Sequence, residues 1–209
     1  MNQSTTGIVI LAAGEASRMG QAKQLLKLQG QTLLEICLQK AVDLKPASIV
    51  TVLGAHLTKT QAAIESLIQA YPNAPIHWVE NQAWVTGMGS SIKAGVKKAL
   101  QEAPHIKQIL ILLADQPLIQ IHQLQTLLEV FGAEPNVAIV ASKYGEGFGV
   151  PAVFDQSLFE ELQQLNEKAG AKKVMKQHQA HMHLIDLPEA AFDMDTPEEY
   201  EEMKARYED

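Results

Sequence analysis

The sequence predicts an α/β protein: a three-layer α/β/α sandwich built on a Rossmann-like, mostly parallel sheet. Short β-rich runs alternate with longer stretches of helical period, which is the rhythm of βαβ units. Residues 8–11 and 109–113 are apolar throughout instead of alternating, so helices must cover such strands on both faces. The chain has 209 residues, 46% of them hydrophobic and 20% charged, which suits one domain over residues 1–209 with a sizeable buried core.

The elements follow in order. A strand at 8–12 is β-rich and unbroken, and helical period then runs through 32–44. A strand at 49–53, a helix at 58–70 and a strand at 76–79 repeat the unit. A helix over 90–100, the apolar run 108–113, a helix over 121–131 and a strand at 137–141 extend it, so that four or five strands can pair in parallel. After Ala141 the pattern loosens into Tyr144, Gly145, Gly147, Gly149 and Pro151, which predicts a mobile loop. A strand at 152–154, two short helices, a strand near 182–185 and a last helix from Pro197 complete the chain. Thr196 stands before a proline suited to the first helical position. Glu198, Glu199, Glu201 and Glu202 then solvate an exposed face and suit the helix dipole. There is no internal repeat or low-complexity tract.

Several function classes are disfavoured. No segment approaches the roughly 20 apolar residues of a membrane helix, and the N-terminus has no basic region leading into an apolar stretch. The expectation is a soluble, unexported and hence cytoplasmic protein with no membrane partner. A net charge of -7 opposes the broad phosphate neutralisation of nucleic-acid binding, so any phosphate site must be small and focused. Cys37 is the single cysteine, which excludes an internal disulfide; among Leu33, Leu34, Ile36 and Leu38 it reads as a small core residue on a helix face, with a reactive thiol as the alternative.

The candidate chemistry lies at strand ends. The first strand ends in Leu11, Ala12, Ala13 and Gly14, and the following stretch, with Arg18, Gly20 and Lys23, has no apolar period. In an open parallel sheet, ligands bind beyond the carboxyl ends of strands. Small residues there let backbone N–H groups approach an anion, while Arg18 and Lys23 supply positive charge. Spacing excludes a P-loop, because five residues separate Gly14 from Gly20, and no dinucleotide fingerprint is present. Asp115, in Ala114-Asp115-Gln116-Pro117, follows the most apolar strand and shares this edge. A carboxylate there costs desolvation unless it is paired or binds a cation, so it reads as a Mg²⁺ ligand or, alternatively, as a cap or turn residue. Asp195, in Asp193-Met194-Asp195-Thr196-Pro197, could complete the metal site or simply cap the last helix.

These motifs, taken together, resemble the MobA-like nucleotidyltransferases, and within that group most closely the molybdenum cofactor cytidylyltransferases. The resemblance extends to Asn81, Trp84, Gly87, Met88-Gly89-Ser90-Ser91 and Gly95, an element that in such enzymes helps to form the nucleotide pocket. It implies a nucleotide-diphospho-sugar transferase-like fold. In the implied site, Leu11, Ala12, Ala13 and Gly14 hold base and ribose, Arg18 and Lys23 hold the triphosphate, and Asp115 and Asp195 bind Mg²⁺. Asn81, Gly87 and Ser90 line the nucleotide pocket, and Arg18, Lys23 and Asp115 serve catalysis. Family variants with Ala-Ala-Gly in the first loop tend toward CTP and those with Ala-Gly-Gly toward GTP, so Ala12-Ala13-Gly14 favours CTP over other nucleoside triphosphates. The acceptor is then the molybdenum cofactor or a related phosphorylated compound, and a molybdoenzyme that receives the product is a further partner. Two departures stand out: Ala16 where relatives often carry Ser, and Asn166-Glu167-Lys168-Ala169-Gly170-Ala171 in place of Gly-Asp-x-Gly-Ala. The second puts the acceptor in question more than the chemistry.

Other readings remain at this level. A sugar-phosphate nucleotidyltransferase uses the same fold and loop, and a non-catalytic carrier or insertion chaperone would bind without turnover. His178, His181 and His183 invite a transition-metal reading, although a surface strand explains them equally well. His56 and His77 read as loop and strand-edge residues or as pocket lining, and Trp84 as a stacking platform or a core aromatic. Ser90 and Ser91 suit a helix start, as N-caps or as contacts to ribose or phosphate.

Overall fold

The computed structural model describes residues 4–15, 22–192 and 196–208. In chain order the elements are β1 (Thr6–Ala12), β2 (Lys27–Leu28), β3 (Gln31–Thr32), α1 (Leu33–Asp43), β4 (Ser48–Leu53), α2 (Leu57–Ala70), β5 (Ile76–Glu80) and α3 (Met88–Glu102). There follow β6 (Gln108–Leu113), α4 (Ile121–Ala133), β7 (Ile139–Tyr144), β8 (Gly147–Asp155), α5 (Phe159–Gln163), α6 (Lys172–Gln177), β9 (Met182–Asp186) and α7 (Pro197–Glu208). Each predicted strand and helix is present, with ends shifted by a few residues.

Seven strands form one sheet in the order β5-β4-β1-β6-β8-β7-β9. β1 pairs in parallel with β4 and β6, and β4 with β5. β8 runs antiparallel to both β6 and β7, and β9 is parallel to β7. The sheet is therefore mostly parallel, and β1 lies in its interior, between β4 and β6, with both of its faces apolar. Val9 and Leu11 point into a core shared with Ile92 and Val96 of α3, Phe159 of α5 and Val174 of α6. Ile8 and Ile10 point into a second core with Leu34 and Leu38 of α1, Ile64 of α2 and Leu124 of α4. Two cores on opposite faces of one strand make the three layers.

α3 lies close on the sheet at Gly95, where an added Cβ would stand 2.8 Å from Cγ2 of Val52 and closer still to Val9. The N-terminus of α1 is fixed locally. Thr32 and Glu35 form a reciprocal capping box, Glu35 N–H donating to Thr32 Oγ1 (3.2 Å) and Thr32 N–H to Glu35 Oε2 (2.6 Å). A third cluster joins Met203 of α7 to Leu26, Leu28, Leu33 and Ile36, and the Tyr200 hydroxyl donates to the Lys27 carbonyl (2.6 Å). The last helix thus clasps the small β2–β3 hairpin. Thr196 caps it, paired reciprocally with Glu199 (2.8 and 3.3 Å).

The glycine-rich stretch after Ala141 is a correction. It is not a loop but the tight end of the β7–β8 hairpin, in which Tyr144 pairs with Gly147 and Ser142 with Gly149. Gly145 supplies the left-handed turn at φ 54°. Gly147 and Gly149 lie against the Tyr144 ring, whose hydroxyl occupies the space a side chain at 149 would fill. Strand glycines covered by an aromatic neighbour are a recognised device, and composition alone does not reveal it. Among the described residues, no helix is long and apolar enough to cross a membrane.

Candidate active site

β5, β4, β1 and β6 are parallel neighbours, so their carboxyl ends open onto one edge, where the candidate residues gather. The backbone leaving β1 is held from three directions. The Leu11 carbonyl accepts from Ala114 N–H (3.1 Å) and the Ala13 carbonyl from Ala55 N–H (3.1 Å). Between them, the Ala12 carbonyl accepts from the buried Gln24 amide (3.0 Å). The turn carrying Ala12, Ala13 and Gly14 is thereby tied to the segments after β4 and β6. Gly54 permits this approach, since a Cβ there would stand 2.8 Å from the Ala13 carbonyl oxygen and 2.7 Å from Cβ of Trp84. Gly14 is different: it is exposed, and a Cβ on it would meet nothing within 4 Å. Packing does not require glycine at 14. His56, at φ 61°, begins α2 and brings a ring nitrogen to 3.3 Å from the Glu15 carbonyl.

Asp115 sits half-buried in the turn directly after β6, beside the β1 turn through the Leu11–Ala114 bond. Lys40 of α1 donates to the carbonyls of Pro117 (2.6 Å) and Ile119 (2.7 Å). Gln116 donates through its amide to the Ala190 carbonyl (3.1 Å), while its Oε1 is buried without a partner among the described residues. Burial pulls the Lys40 ammonium below its ordinary pKa. Burial also pushes the Cys37 thiol up to about 12, against the lowering effect of Lys40 and with a smaller raising effect from Asp115. Cys37 is accordingly a neutral thiol of the interior, its Sγ 3.7 Å from the Leu113 carbonyl.

On the other side of the β1 turn, Asn81 is 6% exposed and donates to Ser90 Oγ (2.8 Å) and Ser91 Oγ (3.0 Å). Its Oδ1 accepts from Ala83 N–H (3.0 Å). Ser90 Oγ faces the carbonyls of Gly87 (2.8 Å) and Ala83 (3.0 Å). The N-cap expected of Ser90 is therefore corrected: α3 starts two residues earlier, Gly87 occupies the cap at φ 134°, and the serines lie inside the first turn. Gly87 and Gly89 also let the segment 166–169 come against the helix start. Gly89 N–H donates to the Glu167 carbonyl (3.0 Å), and a Cβ would lie 2.5 Å from that oxygen at Gly87 and 2.6 Å from the Ala169 oxygen at Gly89. Trp84 is partly buried against the core, as a packing aromatic would be.

Lys23 is half-buried at the start of a 3-10 turn, Lys23–Leu25. Arg18, with Ala16 and Gly20, and Asp195, with Asp193, lie outside the described residues. For a divalent cation, the described donor at this edge is Asp115, a hard carboxylate oxygen in a half-buried turn. That suits Mg²⁺, which takes one or two carboxylates and completes its shell with water and substrate phosphates. No group of three His, Cys, Asp or Glu residues suited to a metal exists among the described residues. The histidines are distributed instead: His178 pairs with Glu161 (2.7 Å), His183 with Glu134 (2.9 Å) and His77 with Glu102 (3.4 Å). His181 precedes β9 in a 3-10 turn. Gln24, Lys40 and Gln116 escaped the sequence reading because each looks like an ordinary polar residue within a helix, turn or loop.

A family model described as "MobA-like NTP transferase domain" matches residues 8–182. The purine catabolism protein PucB of Bacillus subtilis (strain 168) is 31% identical over 204 residues, which cover 92% of this chain and 93% of that protein. The bifunctional protein GlmU of Legionella pneumophila (strain Lens) is 38% identical over 127 residues, which take in 58% of this chain but 24% of GlmU. Among solved structures, Rv0371c from Mycobacterium tuberculosis H37Rv superposes with a TM-score of 0.79 at 22% identity, covering 98% of this chain and 100% of that one. Its manganese complex superposes with a TM-score of 0.71 at 24% identity, over 97% and 99% of the two chains. At these identities the structural likeness shows the fold.

Proposed function

The chain belongs to the MobA-like NTP transferase family, and within it we propose a cytidylyltransferase that moves CMP from CTP to the molybdenum cofactor or its metal-free precursor, releasing pyrophosphate. The observation that carries this reading is the junction of two turns: the small-residue turn after β1 and the Asp115 turn after β6, joined by the Leu11–Ala114 hydrogen bond (3.1 Å). An exposed glycine that packing does not require stands on one turn and a carboxylate on the other. That pairing suits a nucleotide bound along the first turn with its phosphates near the second.

In this reading Leu11, Ala12, Ala13 and Gly14 hold base and ribose by close backbone approach. Asn81 and Ser90 hold the Gly87 wall of the pocket in shape through their mutual hydrogen bonds. Arg18 and Lys23 hold the triphosphate and offset the charge that builds on departing pyrophosphate. Asp115 and Asp195 would hold Mg²⁺, which when bound supplies Lewis-acid neutralisation of phosphate charge. An acceptor phosphate oxygen attacks the α-phosphorus of CTP; a new P–O bond forms as the bond to the bridging α,β-oxygen breaks, and the electron pair leaves with pyrophosphate. The nucleophile is already anionic at neutral pH, so the protein's task is alignment and no general base is needed.

A second reading is a sugar-phosphate acceptor, which the same fold and first loop would serve. The test is pyrophosphate release with each of the four ribonucleoside triphosphates and Mg²⁺, with molybdenum cofactor, its metal-free precursor, a sugar phosphate or no acceptor. Release with CTP that requires the cofactor or its precursor is the expected result. Release that requires a sugar phosphate selects the second reading, and nucleotide binding without release in any arm overturns the enzyme.

A further inference from the structure

We infer that Lys40 and Gln116 are positioning residues that set where the Asp115 carboxylate stands. The inference rests on the reading of Asp115 as a metal ligand. Lys40 projects from α1 beneath the turn after β6, and its ammonium spends two donors on consecutive sections of that turn, the carbonyls of Pro117 (2.6 Å) and Ile119 (2.7 Å). Charge-assisted bonds of this length are about twice as strong as neutral ones, and here they come from a partly desolvated cation. A half-buried ammonium at 40 would be costly without partners, and the two carbonyls it binds offset that cost. Gln116, the residue next to Asp115, ties the same turn to the Ala190 carbonyl (3.1 Å). Ala190 belongs to the segment that runs on toward Thr196.

The two tethers do different things. Lys40 holds the turn to α1, which the β1–α1 core fixes to the sheet. Gln116 holds it to the chain entering the C-terminal helix. Both side chains line one small pocket, together with Cys37, Leu113 and Pro151, and Gln116 Oε1 is the buried acceptor there that lacks a partner among the described residues. Neither residue needs to touch substrate, because a displacement of about 1 Å at a supporting position is enough to cost two orders of magnitude in rate.

The experiment measures Mn²⁺ affinity by titration calorimetry, in the presence of CTP and without acceptor, for wild type, Asp115→Ala, Lys40→Met, Lys40→Arg and Asp115→Ala/Lys40→Met, with thermal melts alongside. Lys40→Met keeps the aliphatic stem and loses the donors. The expected result is folded Lys40→Met with affinity at least tenfold weaker, restored in good part by Lys40→Arg, and no further loss when Lys40→Met is added to Asp115→Ala. Should Lys40→Met not fold, Gln116→Leu cuts the other tether, and at least a fivefold loss is expected. Wild-type affinity in folded Lys40→Met, or in Gln116→Leu where Lys40→Met does not fold, overturns the inference. So does equal loss in both Asp115 backgrounds, because the effect is then not exerted through Asp115. Undiminished affinity in Asp115→Ala instead removes the metal reading on which the inference stands, so the two failures are distinguishable.

Discussion

At the scale of single residues, Asp115 carries the strongest expectation. It sits in a turn outside the apolar cores, so Asp115→Ala removes a charge without opening a cavity. The expected outcome is a fall of about two to three orders of magnitude in kcat/KM, the range seen when a charge-stabilising group is deleted, with a melting temperature within a few degrees of wild type. Steady-state pyrophosphate release and a melt check both parts. Asn81 behaves oppositely. Its amide joins Ser90, Ser91 and Ala83, so Asn81→Ala strands buried polar groups, with an expected cost of about 1–3 kcal/mol measured by urea unfolding. The place of Asp115, in the turn directly after β6, was legible because the strand before it is apolar throughout. Asn81 and Ser90 were legible as a motif but not in their contacts, because the helix start is set by Gly87. Lys40 and Gln24 were invisible, since a polar residue buried at its tip looks in sequence like one facing water.

At the scale of elements, α3 approaches β1 and β4 as closely as it does because residue 95 has no side chain. Gly95→Ala must push Val9 and Val52 apart, and an overpacked core costs about 1–3 kcal/mol. For a chain of this size that is a fall of roughly 2–12 °C in melting temperature, which calorimetry would detect; an unchanged melt would mean that the helix shifts without penalty. Helices and strands were legible almost throughout because both faces of the central strands are apolar and helical period is regular between them. The β7–β8 hairpin was not. Its glycines break the β pattern, and what lets them sit in strands is a tyrosine ring lying against them, a contact between side chain and neighbouring strand that local composition does not encode.

At the scale of the molecule, stability should fall on acidification. Burial holds the His77 pKa below its usual value near 6.5, despite Glu102 at 3.4 Å. The unfolded chain therefore binds that proton first, and stability declines as pH drops below about 6.5. Glu102 titrates below its ordinary range chiefly through its hydrogen bond with Lys98; its contribution is present above the ordinary carboxylate range and is lost as pH falls through the lowered value. Both act in one direction, so urea midpoints should drop between pH 7 and pH 5 and further toward pH 4, and His77→Gln should flatten the upper part of that curve. The three-layer class and the family followed from periodicity and from motifs spread over most of the chain. The acceptor did not, because segment 166–171, which packs against the start of α3 at Gly87 and Gly89, departs from the family pattern. The most direct measurement of the central claim follows the phosphorus: CTP labelled at the α or the γ position is supplied with molybdenum cofactor and Mg²⁺. Nucleotidyl transfer predicts α-label in the cofactor product and γ-label in pyrophosphate; α-label recovered only as free CMP, or γ-label on the acceptor, would contradict it.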